Sequence, residues 1–384
     1  MTTTHNAAGP SVGSVQGAAD QIVSVSATQV RLPLHAPVRN GSAVIAHRDY
    51  VVVTVQSAGG RSGTGVAFTR GAPLATIIED SLAPTIVGRS PFEVQRLWDE
   101  MYTRGELFMG RSGAFMRALS ILDIAIWDLK GKLAERSLAA DLGGEGATIP
   151  LMLSLGYYRS DEGLDDLVAT YAQYAQKGFR RFKIMAGGAL LLEDRDRLRA
   201  VAEVLPPGST LAVDVNGTFA TASEALRFVD SIDLPLDFVE DPFRPDNVSS
   251  AREFKRHSTI PVAVGEWESG RHRFRELLEQ DLVDIVRLDA TACGGVSEWL
   301  KIAGLARSFG KRILPHYYPE IHVHLAAATP GAEAIEVVPA STGADNFDRM
   351  VVSGPWQELP TTPVSNSPGL GLEWNWSVIG EAHL

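Results

Sequence analysis

From Ile149 onward the chain alternates short apolar strands with helices, and this alternation limits the fold more than any other feature of the sequence. Eight stretches have the length and composition of buried strands. In chain order they are PLMLSLG, RRFKIM, TLAVDV, LDFVED, PVAVGE, DIVRLD, KRILPH and AIEVVP. Helical segments such as LVATYAQYAQKG and SEWLKIAGLARSFG separate them. Eight strand–helix units in one direction predict an α/β fold of the (β/α)₈ barrel type.

The chain before Ile149 has a different pattern. Residues 22–57 read as strand, turn and strand, and RALSILDIAIWDLKGKLA, from Arg117, has apolar residues at the helical spacing of three and four. Strands followed by helices predict an α+β unit. The expected domains are a flexible tail over 1–21, an α+β capping domain over 22–145, the barrel over 146–360 and a segment over 361–384 that packs back on the cap.

Composition argues against several classes of function. The net charge of −11 disfavours nucleic acid or an anionic membrane as a partner. No apolar run is long enough to span a bilayer, and we expect no signal peptide. Cys293 is the only cysteine, so no internal disulfide can form. These features predict a cytoplasmic protein that acts on a small molecule.

Ionisable residues stand at the ends of the expected strands. In a barrel of this kind the carboxyl ends of the parallel strands form one mouth, where catalytic residues collect. From the second strand to the eighth, the strand-end residues are Lys183, Asp214, Glu240, Glu266, Asp289, His316 and Glu336. One such residue per strand predicts an active site at that mouth.

Asp214, Glu240 and Glu266 are carboxylates on consecutive strands, at intervals of 26 residues. Neighbouring carboxylates repel one another unless a cation neutralises them. A ligand set of oxygens without Cys or His favours Mg²⁺ over zinc. The sequence therefore predicts a Mg²⁺ site on these three residues. The alternative is that they cap helices or pair with arginines.

His316 follows the strand next to the one that ends at Asp289. A carboxylate beside an imidazole fixes its tautomer and raises its pKa, which suits a base that acts near neutral pH. The two residues are therefore predicted to form a catalytic dyad.

Six motifs together resemble a known family. They are LDIAIWDLKGK, VDVNG, FVEDP, VGE, RLDATACGGVSE and LPHYYPEIHVHLAAATP. The chain, from about Val23 to its C-terminus, is similar to the mandelate racemase subgroup of the enolase superfamily. This resemblance implies a modified (β/α)₈ TIM barrel with an N-terminal α+β capping domain whose loops close over the substrate. It also implies a homo-oligomer, either a dimer or an octamer.

The resemblance further implies a role for each site residue. The three carboxylates would hold Mg²⁺, and the dyad would remove the proton α to a substrate carboxylate. Lys183 would lie against that carboxylate, Asn216 near the α-hydroxyl, and Glu336 would hydrogen-bond an oxygen of the enediolate intermediate. Such a proton is weakly acidic, so the intermediate needs a metal and cations at its oxygens.

One position departs from the family pattern. Members of the subgroup usually carry Lys-x-Lys at the end of the second strand, and here Lys183 takes the first position and Met185 the second. Methionine cannot accept a proton, so the base opposite His316 is missing. An alternative register pairs Arg181 with Lys183, but it needs two gaps.

A single base favours reactions in which protons are transferred on only one face of the α-carbon. Dehydration needs only His316, which takes the α-proton and then protonates the departing β-hydroxyl. We therefore expect a hydro-lyase, a Mg²⁺-dependent sugar-acid dehydratase that gives a 2-keto-3-deoxy acid. The alternatives are a racemase or epimerase, a cycloisomerase that acts on a lactone, and a non-catalytic acid-binding barrel.

Residues of the cap indicate which class of substrate the site would bind. The stretch LPLHAPVRNGSAVIAHRDY carries His35, Arg39, His47 and Arg48, and Tyr157 follows the first barrel strand. Basic and hydrogen-bonding side chains suit a polyhydroxylated acid, diacids included, better than an aromatic one. The alternative is that this stretch is a solvated loop.

Overall fold

The computed structural model describes residues 17–41, 43–144, 146–353 and 359–384. Its N-terminal part contains an antiparallel sheet in the order β1–β2–β3. The strands are β1 (Ile22–Asn40), β2 (Ala43–Ser57) and β3 (Ser62–Phe68). The third strand was not predicted from the sequence. Most of the predicted tail over 1–21 lies outside the described residues.

Helices follow this sheet. They are α1 (Leu74–Thr76), α2 (Ala83–Ile86), α3 (Val94–Met109), α4 (Gly113–Leu133) and α5 (Leu138–Leu142), with a π-helical turn at Ile77–Leu82 and a 3₁₀ turn at Pro91–Glu93. Two glycines allow α4 to pack directly on β3. A Cβ at Gly63 would lie 2.2 Å from the carbonyl oxygen of Ala125, and one at Gly65 would lie 2.3 Å from that of Ile121.

Eight parallel strands alternate with helices in the rest of the chain, which confirms the predicted barrel. The strands are β4 (Thr148–Leu155), β5 (Arg181–Met185), β6 (Thr210–Asp214), β7 (Val239–Glu240), β8 (Val262–Val264), β9 (Ile285–Val286), β10 (Arg312–Ile313) and β11 (Ile335–Val337). The helices are α6 (Leu164–Gln176), α7 (Leu191–Val204), α8 (Ala222–Ile232), α9 (Val248–His257), α10 (Gly270–Glu279), α11 (Ala290–Cys293), α12 (Gly295–Ser308) and α13 (Pro319–Ala328).

The strands pair in the order β10–β9–β8–β7–β6–β5–β4–β11. A parallel bridge between Ile313 and Ala332 joins the two ends of this sheet and closes the barrel. In the described ranges, no helix is both long and apolar enough to cross a membrane.

The C-terminal elements contact both domains. They are 3₁₀ turns at Ala340–Thr342 and Phe347–Met350, β12 (Val351–Ser353), β13 (Thr361–Pro363), β14 (Glu373–Trp374) and α14 (Trp376–Glu381). Strand β13 pairs with the barrel strand β4, and His383 forms a bridge with Val30 of the cap.

Buried hydrogen bonds join the cap to the barrel. The Asp123 carboxylate of α4 accepts bonds from the backbone nitrogen and the hydroxyl of Ser297, at 2.9 and 2.7 Å. The indole of Trp127 donates to the same hydroxyl at 3.0 Å, and that of Trp98 donates to the carbonyl of Gly294 at 2.6 Å. These contacts join the cap to the start of α12, a helix between β9 and β10.

Candidate active site

The parallel register places the last residues of neighbouring strands side by side at one mouth of the barrel. Met185 lies opposite Asp214, and Asp214 lies opposite Glu240. All seven predicted strand-end residues are buried: Lys183, Asp214, Glu240, Glu266, Asp289, His316 and Glu336. The structure thus brings together charged groups from seven consecutive strands.

Lys183 is the centre of a buried ion-pair network. Its Nζ lies 2.8 Å from Oε2 of Glu240, 2.7 Å from Oε1 of Glu336 and 3.1 Å from Oδ2 of Asp214. Burial would lower the pKa of Lys183, but these carboxylates outweigh it and raise the pKa well above its ordinary value. Lys183 is therefore an ammonium group suited to holding an anion rather than to accepting a proton.

Arg287 adds a second buried cation to this network. Its Nε lies 2.8 Å from Oε1 of Glu240, and its Nη2 pairs with Glu336. Burial would raise the pKa of Glu336, but Lys183 and Arg287 lower it well below its usual range. Glu336 is thus ionised in this network, and its hydrogen bond to an oxygen of the enediolate stays a prediction. Its place in this structure is to position the two cations.

Acidic side chains crowd beside the network. One oxygen each of Glu240, Asp241 and Glu266 lies within 4.8 Å of the others, while Asp214 directs one oxygen to Lys183. Burial raises the pKa of Asp214 to about 7 and that of Asp241 well above its ordinary value. Carboxylates that are crowded in this way favour a bound cation, and a set of carboxylate oxygens fits Mg²⁺.

His316 and Asp289 lie together as predicted, with Nδ1 of His316 at 2.9 Å from Oδ2 of Asp289. The other oxygen of Asp289 accepts bonds from the backbone and hydroxyl of Thr291, at 2.7 and 2.8 Å. Nε2 of His316 contacts Glu266. Burial would lower the pKa of His316, but Glu266 and Asp289 raise it to about 10. Asp289 therefore fixes the ring with Nε2 towards the acidic cluster.

Met185 lines the same cavity as Lys183 and His316. Its sulfur lies 3.9 Å from Nδ2 of Asn216. Arg181, the lysine substitute in the alternative register, lies outside this cavity, with Nη1 3.5 Å from Glu333. The placement favours the register in which Lys183 is the first position and Met185 the second.

The cavity opens into a larger cleft between the cap and the barrel. The inner cavity has a volume of about 60 Å³ and the outer cleft about 810 Å³. Six residues line both: Asn40, Ile45, Arg48, Phe68, Arg70 and Asn216. Five of them come from the cap, so both domains form the site.

Four of the residues predicted to contact the substrate are at this site. Asn216 and Tyr157 line the inner cavity, His47 lines the outer cleft, and Arg48 lines both. The amide of Asn216 is held by Asn40, whose Nδ2 donates to its Oδ1 at 2.9 Å. These side chains can reach a ligand from two directions.

His35 and Arg39 are not brought to the inner cavity or the outer cleft. His35 is exposed, and the guanidinium of Arg39 donates to the carbonyl of Gly188 at 2.6 Å and packs over the ring of Tyr158. The pairing of β1 with β2 is irregular between Pro33 and Val38. Such an irregularity shifts which side chains face the barrel, and the sequence alone does not reveal it.

The backbone is strained at this site. Arg70, Asn216, Asp241 and Tyr317 have φ angles of 51°, 48°, 42° and 53°. Non-glycine residues rarely adopt this left-handed conformation, and it persists where the surrounding structure imposes it, often at active sites. The strain is an indication of function that is independent of the charges.

Two family matches decide what kind of protein this is. Residues 22–143 match the mandelate racemase / muconate lactonizing enzyme N-terminal domain, and residues 166–378 match the enolase C-terminal domain-like family. The chain belongs to the mandelate racemase/muconate lactonizing enzyme family. The resemblance inferred from the sequence motifs is therefore confirmed.

Relatives within this family include several sugar-acid enzymes. An arabinonate dehydratase of Saccharolobus solfataricus is 30% identical over 295 residues, covering 74% of this chain and 79% of the relative. A D-galactarolactone cycloisomerase of Agrobacterium fabrum is 28% identical, covering 91% and 95%. The crystal structure of an L-talarate dehydratase from Polaromonas sp. JS666, complexed with Mg and L-glucarate, is 25% identical with a TM-score of 0.84, covering 95% and 97%.

Three charged residues at or beside the site were not singled out from the sequence. Asp241 directly follows the predicted ligand Glu240 and was not singled out, although one of its oxygens lies in the acidic cluster and its φ angle is 42°. Arg287 lies within the predicted strand DIVRLD and directly follows β9, two residues before Asp289, and Arg70 follows a cap strand that was not predicted. A charged residue within an apolar strand is the one signal that could have pointed to Arg287.

Proposed function

We propose that this family member is a Mg²⁺-dependent dehydratase that removes water from a sugar acid and gives a 2-keto-3-deoxy acid. The dehydratases among its relatives support this reaction class. The position of Met185 in the inner cavity supports dehydration over racemisation, and it is the observation on which the proposal chiefly rests.

Asp214, Glu240 and Glu266, with Asp241 beside them, would hold the Mg²⁺. These residues offer only oxygen ligands, and burial with neighbouring carboxylates raises the pKa values of Asp214 and Asp241, so a bound cation would favour their ionised forms. When bound, the cation stabilises the negative charge that develops on the substrate carboxylate as its α-proton leaves. Lys183 supplies a second positive charge for the same group.

His316 is proposed as the only base and also as the acid. Glu266 is the largest of the causes that raise the pKa of His316 to about 10, so the imidazole would become a base once Glu266 turns from Nε2 to the cation. Nε2 then accepts the α-proton, and Asp289 at 2.9 Å from Nδ1 stabilises the imidazolium that forms. The imidazolium then gives its proton to the β-hydroxyl as the carbon–oxygen bond breaks, so that one water leaves. The resulting enol rearranges to the 2-keto acid. The imidazole ends in its starting state, ready for another cycle.

A racemase or epimerase needs a second group that protonates the opposite face of the α-carbon. Met185 cannot do so, and Lys183 is held as an ammonium group by three carboxylates. Dehydration requires no second group. The geometry therefore supports the one-base reaction.

A cycloisomerase is the second candidate. The extensive match to a D-galactarolactone cycloisomerase favours it, since that relative is covered over 95% of its length. A ring oxygen would leave in place of water, and His316 would still serve alone. The product would be an isomer of the substrate.

The test is to incubate a panel of sugar acids and their lactones with the protein and Mg²⁺. Formation of a 2-keto acid that requires Mg²⁺, and is lost in His316→Asn, would support the dehydratase. A product of unchanged mass would instead support the cycloisomerase. If the parent converts no acid or lactone while still binding them, the chain is a non-catalytic barrel.

A further inference from the structure

Two arginines of the cap line the inner cavity, Arg48 in β2 and Arg70 just after β3. Their guanidinium carbons lie 5.2 and 5.5 Å from the centre of the Phe68 ring, and that of Arg70 lies 4.9 Å from the ring of Trp267. Both arginines also line the outer cleft. This cap arginine pair, Arg48 and Arg70, is thus held by aromatic rings where the cleft meets the cavity.

Neither member of the pair has a carboxylate within 4.0 Å in the described residues. The guanidinium of Arg48 donates two bonds to the carbonyl of Ala344, at 3.2 and 2.7 Å, which fixes its direction. Asp345 is adjacent in sequence, but burial raises its pKa and the hydroxyl of Tyr317 donates to it. In the described residues the pair therefore forms no direct ion pair, although Asp345 lies near enough to act on Arg48 and Glu266 near enough to be stabilised by Arg70.

Further positive charge lies close to the pair. Burial and then the charge of Arg70 lower the pKa of Arg117, a residue of α4. Arg70 also adopts the left-handed φ of 51°, which is unfavourable for a non-glycine residue. Like charges that crowd together on a strained backbone indicate that the cluster binds an anion.

The substrate carboxylate next to the reacting carbon would already have its charge neutralised by Lys183 and by the cation of the acidic cluster, at the barrel end of the cavity. The cap arginine pair is therefore not required for that carboxylate. A guanidinium binds a carboxylate through two parallel hydrogen bonds. We propose that the substrate is a dicarboxylic sugar acid whose second carboxylate is bound by Arg70, assisted by Arg48. This inference rests on the proposed sugar-acid chemistry of the site.

The experiment compares a hexaric acid with the hexonic acid of the same configuration, which has a hydroxymethyl group in place of the second carboxylate. We expect the parent to favour the diacid by about a hundredfold in kcat/KM. Arg70→Met should lower kcat/KM for the diacid at least about thirtyfold, mainly through KM, and change the value for the monoacid by less than about twofold. Arg70→Lys should restore part of the loss.

Arg252→Met is the matched control, because Arg252 is an exposed arginine of α9 that lines neither the cavity nor the cleft. Equal turnover of both acids by the parent, or equal losses for both in Arg70→Met, would overturn the inference. If no acid loses water, the proposed dehydration fails. The inference about the second carboxylate is then tested separately, by the dissociation constants of the diacid and the monoacid. Tighter binding of the diacid that depends on Arg70 supports it, and binding of neither acid refutes it.

Discussion

Lys183 and Met185 are two residues apart on β5 and line one cavity, but only the lysine is charged. Side chains two residues apart in a strand lie on the same face, so a base at position 185 would contact the same bound ligand as Lys183. The methionine instead places its sulfur 3.9 Å from the amide of Asn216. Positions 183 and 185 therefore differ in chemistry: Lys183 carries a charge, and Met185 cannot transfer a proton.

Met185→Lys should introduce proton exchange at the α-carbon. A lysine there would be buried beside Lys183, and both burial and the like charge would lower its pKa towards that of a base. Substrate recovered from D₂O should carry deuterium after incubation with this variant and not with the parent. NMR of the recovered acid measures it. Met185→Leu is the matched control, and exchange with inversion in the parent would contradict the one-base mechanism.

Glu240→Gln and Glu266→Gln should each weaken Mg²⁺ binding at least about tenfold. Both residues belong to the acidic cluster whether the third ligand is Asp214 or Asp241. Asp214→Asn should weaken it more than Asp241→Asn. Asp214 lines the cavity that the substrate would share, whereas Asp241 lines a separate pocket. Calorimetry with the metal alone measures each affinity. Glu279→Gln, at an exposed carboxylate, should bind as the parent does.

Replacement of the dyad should separate catalysis from binding. His316→Asn should lower kcat on the order of a thousandfold, since the variant loses its only general base. Asp289→Asn should lower kcat less, because the imidazole stays but its tautomer is no longer fixed by an ionised partner. Steady-state kinetics of the accepted acid measure both. His257→Asn, on an exposed helix, should retain full activity. An active His316→Asn would assign the base elsewhere.

The strand-end residues could be predicted from the sequence because their positions depend on local information. Each follows a short apolar run, and one strand–helix unit separates it from the next. The parallel register then brings Asp214 next to Glu240 without further information. The fold and the acid-rich mouth follow from this repetition alone.

Other parts of the site depend on contacts between distant segments. Arg287 pairs with Glu240 and Glu336, which are 47 and 49 residues away, and the strand pattern that places it on the same face as Asp289 does not specify these partners. Arg70 reaches the cavity only because the cap docks on the barrel. His35 is exposed and lies where the pairing of β1 with β2 is irregular, and the sequence alone does not reveal such an irregularity.

Glu320 offers a test of stability that is separate from the metal site. It is 5% exposed, and its Oε2 has no hydrogen-bond partner in the described residues. Burial, and to a lesser degree the charges of Asp345 and Asp348, raise its pKa from 4.5 to about 8. Its contribution to stability is therefore fully present below pH 4.5 and is lost as the pH rises through about 8.

Glu320→Gln removes this titration while keeping the shape of the side chain. Between pH 6 and pH 9, at roughly these values, the parent should lose on the order of 2 kcal/mol more unfolding free energy than the variant. Urea unfolding at the two pH values measures the difference. Glu381→Gln, at an exposed carboxylate of α14, should follow the parent. Parallel losses in the parent and in Glu320→Gln would mean that Glu320 is ionised in the folded protein already at the lower pH, because its burial is offset by a partner.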